Sequence, residues 1–200
     1  AAHRTLLSCP PRRSSDLTDV KQEILAALAD SQCNQKIFLI GGSVGHALSV
    51  ALDPSPTVPD WDSTTLTKIK AVVALSNVCD LSLRLPLTGQ TFINDVQNYT
   101  NTTDSFVGLE YQYSVSPIAL VAGANNIPPI RLYASLGEHI VIPAQSENMA
   151  SALQARDPNA DVMLYEIMGS EHAFNYWHAI NDITGQCVSA EVISFLNAHR

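Results

Sequence analysis

Four short apolar runs punctuate this chain, at Ile37 to Ile40, Ile69 to Ser76, Ile130 to Ser135 and Asp161 to Ile167. The second is continuous through Ala71-Val72-Val73-Ala74-Leu75, so both of its faces need cover, as in a buried strand of a parallel sheet. Between the runs, apolar residues recur at helical spacing. Asp16 or Thr18 is placed to cap a helix carrying Val20, Ile24, Leu25 and Leu28 that Asn34 ends. A second helix follows through Ala47 to Leu52. Pro143 opens a third, Ala144 to Ala155, with Met149, Ala152 and Leu153 inward. The last is Ser189 to Ala198, with Val192, Ile193, Phe195 and Leu196.

Three stretches break this rhythm. Residues 1–15 read as a disordered leader or an artefact of sequence assembly, without the apolar region and cleavage site of a signal peptide. Asp53 to Asp62 is a Pro-rich loop. Residues 81–126 read as an irregular, polar insertion, most loop-like from Asn98 to Asp104, placed like a lid over a site. The remainder, 16–200, is expected to be a single α/β domain: a mostly parallel sheet of about four strands flanked by helices in three layers, with no internal repeat. In such sheets ligands bind beyond the strands' C-terminal ends, where Ser43, Asp80, Glu138, His139 and His172 all fall.

Composition narrows the function classes. With 200 residues, 46% of them hydrophobic, the chain suffices for one sizeable core. No apolar run approaches the roughly 18 residues of a membrane helix, so no membrane span is expected. Its net charge of -8 and lack of a basic stripe argue against a nucleic-acid partner. Cys9, Cys33, Cys79 and Cys187 form no CxxC pair and read as free thiols. Neither a metal nor another cofactor is expected, and the compartment stays open. Asn98-Tyr99-Thr100 and Asn101-Thr102-Thr103 match glycosylation acceptors, which matters only in a eukaryotic secretory pathway.

The chemistry concentrates at Gly41-Gly42-Ser43-Val44-Gly45, between the first apolar run and the helix after it. A serine on a tight strand-to-helix turn projects its Oγ outward, and Gly41 and Gly45 leave room where strand and helix come close. His172 lies far downstream after the fourth run, with Glu138 and Asp80 as acids between. From these pieces, with Ser116-Pro117-Ile118, Leu136 to Pro143 and Gly169 to Phe174, residues 16–200 resemble the α/β-hydrolases of the esterase, lipase and feruloyl-esterase type.

The resemblance implies Ser43 as nucleophile, His172 as general base and the Val44 N–H as an oxyanion donor, acting on a small-molecule carboxylic ester without a cofactor. It also exposes two departures. His139 occupies the position where an Asp is expected, which leaves Glu138 as first candidate for the acid and Asp80 as second. The strands and glycine-rich oxyanion loop that precede the elbow in such enzymes have no counterpart, so the chain reads as N-terminally truncated, with an exposed sheet edge open to self-association. Three rivals stand beside the esterase: a catalytically impaired or inactive fragment, a peptidase or acyltransferase on the same scaffold, and a nucleotide-binding module. The last lacks both GxxxxGK[ST] and GxGxxG.

Overall fold

The two central apolar runs become strands covered on both faces, while the two outer ones are only partly buried. In the computed structural model, which describes residues 15–200, β1 (Ile37–Gly42), β2 (Ile69–Leu75), β3 (Ile130–Ser135) and β4 (Val162–Ile167) form one parallel sheet in that order. Gly42 pairs with Leu75 and Leu75 with Tyr133, which aligns the C-terminal ends of three strands.

Alternate residues of β2 serve opposite layers. Val72 and Ala74 pack with Ile24 of α1 (Ser15–Ala29), Leu48 and Leu52 of α2 (His46–Leu52), and Met149 and Leu153, which lie on a later helix. Ala71, Val73 and Leu75 pack with Tyr133, Tyr176 and the C-terminal residues Val188, Val192 and Phe195. Each fully buried aliphatic or aromatic side chain contributes about 1.5–3 kcal/mol. β1 stands at the sheet's edge, where Ile40 is 41% exposed while its register partner Val73 is 0% exposed.

The first helix departs from its expected bounds at both ends. It is already helical at Ser15, ahead of Asp16 and Thr18, because Leu17 packs on the core and makes that turn worth forming. It ends at Ala29 and not at Asn34, since the Asp30 carboxylate accepts from the Gln32 N–H and draws the chain into a turn. Apart from Ser15, the expected leader lies outside the described residues.

Lys21 anchors α1 to the loop that follows α2. Only 1% exposed, its ammonium donates to Asp53 Oδ2 (2.7 Å), Thr57 Oγ1 (3.0 Å) and the Ser55 carbonyl (3.2 Å), spending all three protons. Burial acts to raise the Asp53 carboxyl, but hydrogen bonds from Lys21 and Ser55 outweigh it and hold the group below its usual value. Lys21→Met leaves that carboxylate without its cation, and is expected to cost about 3–5 kcal/mol of stability in urea denaturation.

The largest correction concerns residues 81–126, which are not an irregular insertion. They contain α4 (Gln90–Thr100), α5 (Phe106–Ser114) and α6 (Pro117–Leu120), after α3 (Ser63–Leu66) and ahead of α7 (Ala144–Arg156) and α8 (Val188–Ala198). Phe92, Val96 and Tyr99 supply α4 with a narrow apolar stripe, which packs with Val78, Leu81 and Val141 over the sheet's C-terminal edge. Polar residues that look loop-forming are used locally. Asn101 ends α4 at φ 53, Ser105 caps α5 by accepting from Gly108 N–H, and Arg84 bridges Asp104 and Gln112. The Arg84 hydrogen bonds hold the Asp104 carboxyl down at about 2. Among the described residues no helix is long and apolar enough to cross a membrane.

Candidate active site

Ser43 follows β1 directly, and its backbone is left-handed (φ 64), a conformation that costs energy for a residue with a Cβ. The strain is held from both sides. Ser43 N–H donates to the Leu75 carbonyl at 3.0 Å, and the Ser43 carbonyl accepts from Val78 N–H, so the end of β2 grips the turn. Gly45 has φ 81, and a Cβ there would stand 2.2 Å from the Val78 carbonyl oxygen; one on Gly41 would stand 2.7 Å from the Ala47 Cβ. The close approach of strand, turn and α2 thus demands both glycines. Gly45→Ala is expected to lose about 3 kcal/mol or more, through left-handed strain and the clash together. Denaturation of that variant against Gly123→Ala, where a Cβ meets nothing within 4 Å, checks it.

The Val44 N–H is engaged within the turn. It donates to the Gly42 carbonyl at 2.9 Å, because the positive φ of Ser43 curls the chain into a three-residue turn. An oxyanion beside Ser43 would have to take this amide from Gly42.

Glu138, and neither His139 nor Asp80, meets the histidine. After β3, Leu136 N–H continues the ladder to the Ile167 carbonyl, and Gly137 N–H donates to the Gly169 carbonyl at 2.7 Å. That pairing lays the loop after β3 along the loop after β4. Glu138 then points inward (2% exposed), where its Oε1 contacts His172 Nδ1 and accepts from Val141 N–H at 3.0 Å. Its Oε2 accepts from Ser76 Oγ at 2.6 Å. His139 turns out to solvent at the mouth of the cleft. Asp80 spends its Oδ1 on the backbone N–H and hydroxyl of Ser82.

His172 precedes a 3-10 turn, Ala173–Tyr176, that packs on the elbow. A Cβ on Gly42 would lie 3.1 Å from both the Ala173 Cβ and the Phe174 ring. With Nδ1 turned to Glu138, the imidazole's Nε2 is the nitrogen left to exchange a proton with a hydroxyl. No hydrogen bond joins His172 to Ser43 among the described residues.

Ser43 opens into a cleft of about 1390 Å³ between α1, α4 and the loop after β3. Phe92, Val96, Tyr99, Leu17 and Val20 supply apolar walls, and Asp19, Glu23 and Asp95 supply carboxylates. No lysine or arginine lines it among the described residues. Nor is any group of three or more His, Cys, Asp and Glu side chains placed there to hold a metal ion. Cys33, Cys79 and Cys187 are free, and Cys9 lies outside the described residues. Sequence reasoning passed over the contacts of Ser76 and Tyr176 beneath Glu138; a serine ending a buried strand was the only signal.

No protein-family profile and no curated protein sequence matches the chain. Solved structures do. An esterase from Thermogutta terrifontis, Est2, aligns at TM-score 0.56 and 16% identity over 92% of this chain. An acylaminoacyl peptidase from Pyrococcus horikoshii aligns at 0.57 and 15% over 92%, and a monoacylglycerol lipase from Paleococcus ferrophilus at 0.55 and 15% over 93%. The chain spans 61%, 27% and 76% of their respective lengths. The fold is that of the α/β-hydrolases.

Proposed function

We propose that this chain is a serine hydrolase of carboxylic esters, working through an acyl-enzyme on Ser43. What supports the reading is a serine strained on its turn and open to a large cleft, a neighbouring Gly42 packed close to Ala173 and Phe174, and a His172 held by a buried glutamate. Ser43 Oγ attacks the ester carbonyl while His172 Nε2 takes its proton, and Glu138 holds the imidazole and balances its positive charge. The Val44 N–H leaves the Gly42 carbonyl for the oxyanion. Collapse returns the proton to the departing alcohol, and water then cleaves the acyl-serine by the same proton path. The naming of solved neighbours as esterase and lipase supports this reading.

A second reading is a hydrolase fold without its chemistry. Two observations favour it: the Val44 amide is spent on Gly42, and Ser43 and His172 are not hydrogen-bonded. The first weighs more, since catalytic hydrogen bonds are often long before substrate binds. The peptidase or acyltransferase alternative rests on the acylaminoacyl peptidase neighbour, of which the chain spans 27%. The deciding experiment is turnover of short-chain, uncharged p-nitrophenyl esters, beside stoichiometric labelling by a fluorophosphonate. Uncharged esters suit a cleft whose charged lining is acidic. Labelling of Ser43 with ester turnover supports the esterase; neither one leaves the inactive reading.

A further inference from the structure

One hydroxyl ties the two loops of the site together. Ser76 lies one residue beyond β2, is 1% exposed, and uses its whole hydrogen-bonding capacity. It donates to Glu138 Oε2 at 2.6 Å, accepts from Ala173 N–H at 3.2 Å, and stands 3.0 Å from the Tyr176 hydroxyl. A carboxylate can only accept, so the serine proton belongs to Glu138 and the tyrosine is the donor in the third contact. Tyr176, also 1% exposed, shares its proton with the Tyr133 carbonyl at 3.0 Å. Burial pushes its phenol above the usual value, so it stays a donor in alkaline solution.

This arrangement matters because a glutamate reaches through one more rotatable bond than an aspartate. Its carboxylate swings about that bond unless both oxygens are held. Oε1 is held by His172 and Val141 N–H; Oε2 has Ser76 as its hydrogen-bond partner. Loss of that partner leaves a buried oxygen unsatisfied and the carboxylate free to turn from the imidazole. Ser76 itself sits at φ 47, a left-handed backbone that glycine adopts without strain. The hydroxyl is kept where the backbone favours having no side chain.

From these contacts we propose that Ser76, backed by Tyr176, is the positioning residue that fixes the Glu138 carboxylate against His172. The inference rests on the reading of Ser43, His172 and Glu138 as a triad, and its test separates the two. The strain at φ 47 makes Ser76→Gly the informative variant, because removal of the hydroxyl relieves the backbone and does not burden it. The primary readout is the low-field proton NMR signal of His172 Nδ1–H, assigned by its loss in His172→Gln and recorded in a Ser43→Ala background.

The signal is expected in Ser43→Ala, and expected to broaden away or move upfield in Ser43→Ala/Ser76→Gly while the chain keeps a cooperative melting transition. In chains that keep Ser43, kcat is expected to fall about 10- to 100-fold in Ser76→Gly, and less in Tyr176→Phe, with KM nearly unchanged. An unchanged signal in the double variant overturns the proposal, and so does absence of the signal from Ser43→Ala. Failure of the unaltered chain to hydrolyse any ester would sink the esterase reading alone, because the NMR comparison does not depend on turnover.

Discussion

Ser43→Ala is expected to reduce turnover of short-chain p-nitrophenyl esters by about 10⁴-fold or more, to the level of the uncatalysed reaction in the same cleft, and to abolish fluorophosphonate labelling. The size follows from the role. On the proposed mechanism no acyl-enzyme forms without the hydroxyl. Folding should be nearly untouched, because alanine at φ 64 carries the same Cβ strain as serine and every backbone bond of the turn remains, from Ser43 N–H to Leu75 and from Val78 N–H to Ser43. Equal melting curves with activity lost place the effect in the chemistry. Activity retained in Ser43→Ala would overturn Ser43 as the nucleophile and assign the hydrolysis to another group.

Glu138→Gln is the second large effect, an expected loss of about 10³- to 10⁴-fold in kcat. Glutamine keeps the reach of glutamate but carries no charge, so on the proposed mechanism nothing balances an imidazolium formed when His172 takes the serine proton. It also presents an amide N–H₂ on one side. Turned toward His172, that group forces the wrong tautomer; turned toward Ser76, it leaves the serine proton to find Tyr176. Asp80→Asn is the comparison. Its carboxylate is occupied by Ser82, so activity should stay within a few-fold. A loss in Asp80→Asn with Glu138→Gln unharmed would exchange the two acids and show that the loop after β3 rearranges in solution.

Glu138 also shows how far local pattern reaches. The chain offered Glu138 first and Asp80 second as acids between the elbow and His172, in the order that the resemblance implies. Whether Glu138, His139 or Asp80 faces the imidazole depends on the path of Gly137 beside Gly169, a backbone bond between loops that no periodicity announces. The helices α4 and α5 failed to stand out for a related reason. The asparagines and threonines of α4 and the Gly108 and tyrosines of α5 are indifferent or poor helix formers, and the burial of Phe92, Val96 and Tyr99 against Val78, Leu81 and Val141 draws α4 into shape. Phe92, Val96 and Tyr99 carry a helical period inside this polar segment.

What the sequence by itself determined is the sheet and the elbow. The continuous run from Ile69 to Ser76 called for a strand covered on both faces, and a serine among glycines after an apolar run called for a tight turn. Both follow from properties of a few adjacent residues. Only the tertiary structure decided which groups meet. Ser76 lies 62 residues from Glu138 and 100 from Tyr176, and Glu138 lies 34 from His172. Contacts over such separations are fixed by strand order and loop path, with the burial of the whole core meeting the entropy of bringing them together.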